Sequence, residues 1–134
     1  MIMREIVVIA RGFLTFVFVS LSPLLLADDI SGFWKHREEP AWIEIRVDEG
    51  AGTVVRNDKF PERVGRKVLR DLEAADAEEN LWHGQVYVEL LGEFRNVEVS
   101  LREPGRMEFE VKVGFMSRTI EWVRVDVDPS TLPQ

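Results

Sequence analysis

Few side chains in this chain have the type and spacing that chemistry needs. Its two histidines are His36, in WKHREEP beside Glu38 and Glu39, and His83, in LWHGQ. Imidazole and carboxylate together suit a divalent metal such as zinc. Neither histidine has a second ligand at the right spacing on its own element, so the expectation is two surface histidines and no metal. Beyond the N-terminal apolar run the serines are Ser31, Ser100, Ser117 and Ser130. None lies in a Gly-x-Ser-x-Gly elbow, and no Ser, His and Asp order points to a triad. The absence of cysteine removes thiol catalysis, disulfides and thiolate metal sites. Gly50-Ala51-Gly52 joins two candidate strands instead of opening a helix, so it is not a phosphate loop. The run DLEAADAEE lacks the Gly and the terminal Glu spacing of a calcium loop. With no convergent acid, base and nucleophile, the expectation is a non-catalytic protein without a cofactor.

Two charged features remain. From Arg56 to Arg70 there are six basic residues against two acidic ones, and from Asp71 to Glu79 five acidic residues and no basic one. One reading is a pair of solvated faces that partly neutralise each other. The other is an anion site at Arg63, Arg66 and Lys67, in a charged loop over residues 56–79, for a phosphate or a phosphorylated envelope glycan or for an envelope protein. The second feature is VGFMSRTIEWVRV, residues 113–125, where Arg118, Trp122 and Arg124 alternate after a Gly-Phe break. These are either functional arginines or a staple that closes the fold.

The chain opens with Arg4 and Arg11 before an uncharged run from Gly12 to Ala27, followed by Asp28-Asp29. A short basic region, an apolar core and a small residue before acidic ones read as a secretory signal peptide, residues 1–27, cut after Ala27. The run is shorter than the ~20 residues that span a bilayer, and no Cys follows it to carry a lipid anchor. The expectation is one exported domain, residues 28–134, in the periplasm of a Gram-negative bacterium or secreted, with no transmembrane segment after cleavage. The formal net charge of −7 argues against general nucleic-acid binding, which needs a basic footprint.

The elements that must position any site are strands. After Pro40, apolar residues recur at period two: Ile43, Ile45 and Val47, then Val97, Val99 and Leu101, then Met107, Phe109, Val111 and Val113, each set opposed by charged neighbours. Turn signals separate them, as at Glu103-Pro104-Gly105. Shorter candidates bring the total to about eight strands, roughly 32–37, 41–48, 53–57, 65–72, 81–88, 94–101, 106–114 and 117–125. Residues 73–80 favour a loop or a helical turn after the fourth. Short strands at this spacing predict an all-β antiparallel sandwich or barrel. The aromatic residues on those strands fill a small barrel, or they line a cavity for one small apolar or amphipathic ligand. For the second case the candidate lining is Trp42, Trp82, Tyr87 and Phe115.

Two separated motifs add a resemblance. The stretch ISGFWKHREEPAWIEIRV carries Gly32-x-Trp34, and the end of the chain carries Gly114, Phe115, Arg118, Thr119, Trp122 and Arg124. Between them lie Gly65 with Val68-Leu69, and Trp82-x-Gly84. In order and spacing this resembles the DUF2147 family of small exported bacterial proteins, over nearly all of residues 31–125. The resemblance implies a lipocalin-like, eight-stranded, up-and-down barrel with no established activity. The chain departs from the family in lacking a central Cys pair, and YVELLGEF stands where many members have an Asp-Pro turn.

In an even-numbered barrel of this kind the last strand returns antiparallel beside the first. Arg124 is then expected over the indole of Trp34, with Arg118 and Trp122 on the same face of the strand, a clasp that closes the barrel.

Overall fold

The structure is a computed structural model that describes residues 29–76 and 78–133; the expected signal peptide lies outside the described residues. Eight strands run β1 (Gly32–His36), β2 (Ala41–Arg46), β3 (Ala51–Asn57), β4 (Lys67–Asp76), β5 (Leu81–Val88), β6 (Glu93–Glu103), β7 (Arg106–Val113) and β8 (Met116–Val125). Each pairs antiparallel with its sequence neighbour, and β8 returns to β1, which closes the barrel. The fold is therefore all-β, as period two predicts, and of the sandwich and barrel that strand spacing left open it is the closed up-and-down barrel that the resemblance implies. No described helix is long and apolar enough to cross a membrane.

The inward set follows from alternation. Ile43 and Ile45 on β2, Val97, Val99 and Leu101 on β6, and Met107, Phe109 and Val111 on β7 are all buried and form one core. Because every strand reverses, the turns fall into two groups. The loops after β1, β3, β5 and β7 crowd one end, here the mouth. The turns after β2, β4 and β6, with the described residues that lead into β1, crowd the other.

Local sequence explains where strands stop and bend. Val47 does not extend β2, because Val47–Glu49 forms a short 3-10 turn and Gly50 takes a left-handed φ of 62° to start β3. The fourth strand departs from expectation, running to Asp76 where a loop or helical turn was predicted after Leu72. Asp71 sits at φ 53°, an uncommon region that Asp tolerates, and the register with β5 shifts between Arg70 and Glu73. That bulge turns Leu72 into the core, while Glu73 and Ala74 pair with His83 and Trp82. Cross-strand pairing thus overrides the weak strand propensity of Glu, Ala and Asp.

The interior is graded. Towards the closed end it is filled by large side chains, with Trp34, Met107 and Ile30, which precedes β1, wholly buried and Trp82 nearly so. Towards the mouth the inward residues include four valines, Val54, Val68, Val86 and Val111, beside the larger Ile43, Phe109 and Ile120. A barrel of fixed girth lined by small side chains leaves space.

Candidate ligand site at the barrel mouth

At the closed end, Arg124 pairs with Trp34 across the β1–β8 seam. Its guanidinium lies 4.3 Å from the indole centroid, within cation–π reach. It also donates to the carbonyls of Asp29 (2.7 Å), Ser31 (3.0 Å) and Pro104 (3.0 Å), tying the start of β1 to the β6–β7 turn. Trp34 Nε1 donates to the Ile30 carbonyl at 2.9 Å, which fixes the indole beneath the arginine. Gly32 has φ 129°, and a Cβ there would lie 3.1 Å from Arg124 Nη1. Glycine in Gly32-x-Trp34 therefore makes room for the arginine of Trp122-x-Arg124. Trp122 is buried against Phe109 inside the barrel. Arg118 lies at the opposite end of β8, where it is exposed and borders the mouth. It is not part of the clasp at the closed end, because five residues of strand separate it from Arg124.

The space at the mouth has a volume of ≈ 430 Å³. Its walls include Ile43, Val54, Val86, Phe109, Val111 and Ile120, with Trp122 among the deeper residues. Lys59, Arg63, Glu39, Glu89 and Arg118 ring the entrance. The volume falls in the range of about 300–1,000 Å³ for small-molecule sites, and the mix of apolar walls with a few charges suits an amphiphile.

His36 and Asn57 are polar groups of the wall, and the Asn57 side-chain oxygen is taken up by the Lys59 and Phe60 N–H groups. The His36 ring meets Trp122 edge-on at 5.1 Å, and its Nδ1 accepts from the backbone N–H groups of Glu38 and Glu39 at 3.0 Å each. Burial holds its pKa below the usual imidazole value, against the opposing pull of Glu39 and Glu38, and Lys35 adds to the lowering. With Nδ1 engaged as an acceptor, the neutral ring carries its proton on Nε2.

Of the four candidate lining residues, Tyr87 alone borders this cavity. Trp42 stands on the outer face, since Ile43 and Ile45 take the inward positions of β2. It is covered there by Lys35 and Arg56, at 5.5 and 5.0 Å from its ring. Arg56 in turn holds the carbonyls of Pro129, Leu132 and Pro133, binding the C-terminal segment against the barrel. Trp82 is in the core near the closed end, and Phe115 projects fully exposed from the β7–β8 turn. The structure thus separates these three, and the cavity walls are aliphatic residues that periodicity marks only as inward-facing.

The basic half of the charge step is largely occupied. Arg63 and Arg66 both pair with Glu89, and they lie over the rings of Phe60 (3.9 Å) and Tyr87 (5.8 Å). An anion there competes with Glu89, while Lys67 makes no ion pair among the described residues. His83 faces Glu98 at 3.6 Å on the outside, far from His36 in the fold, and the described residues contain no group of three metal-ligating side chains. The serine hydroxyls of Ser31 and Ser130 serve turns, accepting from Val47 N–H and donating to Asp128. A shallow groove of ≈ 650 Å³ crosses the outer face of β5–β7 between His83, Val97, Glu98, Glu110 and Lys112, outside the barrel interior.

No protein-family model, curated protein or solved structure matches the chain.

Proposed function

We propose that the chain is an exported, non-catalytic binding protein of the cell envelope, periplasmic or secreted, that holds one small amphipathic ligand in the mouth of its barrel. The apolar portion of the ligand sits against Ile43, Val54 and Phe109, and its polar end stays among Lys59, Arg63, Arg118 and His36. The observation that carries this reading is the graded interior, packed solid at the clasp and open above it. A barrel needed only as a scaffold gains stability by filling that space, because empty apolar volume forfeits packing. The order of the motifs from Gly32 to Arg124 supports membership of the DUF2147 family as part of the same proposal.

The test is a titration with an anionic fluorescent amphiphile, anilinonaphthalene sulfonate. Wild type is expected to bind it saturably with one site. Ile120→Trp places an indole in the cavity from a half-buried position and is expected to weaken binding at least about tenfold, roughly 1.4 kcal/mol, with melting preserved. Equal binding by both proteins removes the cavity as the site.

A further inference from the structure

We propose that the open end of the barrel docks on an anionic lipid bilayer, with the β5–β6 and β7–β8 loops placing their apolar tips among the acyl chains so that the cavity opens onto the lipid. The purpose of docking rests on the reading of the mouth as an amphiphile site. The docking itself rests on the outer surface.

Leu90 is 83% exposed, Met116 63% and Phe115 fully exposed. Leu91 stands beside Leu90, so two neighbouring mouth loops present four apolar side chains to solvent, and Val64 adds a fifth on the β3–β4 loop. Folding does not account for them. The turns need Gly92 and Gly114, each at φ 65°, but a side chain as exposed as Phe115 contributes no packing. At the closed end the turns expose no large apolar residue among those described; the other exposed ones, Val123, Val127 and Leu132, lie on β8 and the C-terminal segment. Side chains that project singly from separate loops suit a fluid acyl phase, which surrounds each of them without needing a shaped partner surface.

Charge complements this placement. The mouth carries Lys59, Lys67, Lys112 and Arg118, which form no ion pair among the described residues, although Glu38, Glu39 and Glu62 share that end. The closed end carries Asp76, Glu78, Glu79 and Asp126, likewise without ion pairs among the described residues. Because β4 runs from mouth to closed end, the basic-to-acidic step in the sequence at residues 70–71 becomes a polarity along the barrel axis. A negative surface attracts the mouth and repels the opposite end, which orients the barrel for insertion.

The test is flotation of the protein with vesicles, using full-length chain expressed in an exporting host and its processed N-terminus read by mass. Wild type is expected to float with vesicles containing phosphatidylglycerol, less with pure phosphatidylcholine, and less as salt rises from about 0.05 to 0.5 M. Phe115→Ser and Met116→Ser combined should weaken flotation about a hundredfold, at about tenfold per buried apolar side chain, without changing the melting temperature. Val123→Ser with Val127→Ser should leave flotation unchanged. Equal flotation of wild type and the Phe115 and Met116 double variant, failure of wild type to float, or an equal loss in the Val123 and Val127 control overturns the proposal. Binding of anilinonaphthalene sulfonate without vesicles separates the two readings: loss of flotation with that binding retained assigns the defect to docking alone.

Discussion

Replacing Arg124 with alanine removes three hydrogen bonds to backbone carbonyls and the cation over Trp34 in one step. The bond to Ser31 is partly buried, so its carbonyl loses its partner in a place water reaches poorly, while those to Asp29 and Pro104 are exposed and water replaces them. A shielded bond from a charged donor contributes about 1.5–3 kcal/mol, exposed ones less, and a partly desolvated cation–π contact about 1 kcal/mol. The expected loss is about 3 kcal/mol, and for a domain of this size that lowers the melting temperature by roughly 12–18 °C. Thermal unfolding followed by circular dichroism measures it. Arg124→Lys keeps the charge but cannot span three carbonyls, so it should recover less than half of the loss. The clasp reasoning fails if Arg124→Ala melts within about 3 °C of wild type. Unchanged stability with lost amphiphile binding would assign Arg124 to function instead.

Three further outcomes follow from the same geometry. Gly32→Ala should destabilise by about 1–3 kcal/mol in chemical denaturation, since alanine is strained at φ 129° and its Cβ crowds Arg124. The lowered pKa of His36 means that the unfolded chain binds a proton more readily than the folded one, so its contribution is complete above about pH 6.5 and declines as pH falls towards the folded value. Melting should therefore fall more between pH 7.5 and 5 in wild type than in His36→Asn, whose side-chain oxygen still accepts from the Glu38 and Glu39 N–H groups. Phe115→Ser should change stability by less than about 0.5 kcal/mol in the same denaturation assay, because the ring packs against nothing.

The contact of Arg124 with Trp34 was legible before the structure because it depends on two countable things, an even number of strands and a Trp and an Arg at matching distances from the seam, whereas Arg118, expected in the same clasp, lies at the other end of β8. Period two likewise placed Ile43, Val97, Val99 and Phe109 inside. The position of Trp42 was not legible by size alone: alternation assigns it to the outer face, and there Lys35 and Arg56 cover its ring, Arg56 being held in turn by the C-terminal segment, which carries no periodic signal. The end of β4 escaped for a similar reason, since its pairing partner on β5 overrides Glu73, Ala74 and Asp76. The cavity is a difference between barrel girth and side-chain volume. A pattern of apolar and polar positions records direction and not volume, so Val54 and Val111 read as core residues like any other.

The account rests most heavily on the claim that the mouth is occupied in the cell. Native mass spectrometry of the protein isolated from its own cell envelope tests that directly. The expected result is a discrete added mass that lipid extraction removes and that Ile120→Trp lacks. A bare polypeptide mass before and after extraction would contradict it.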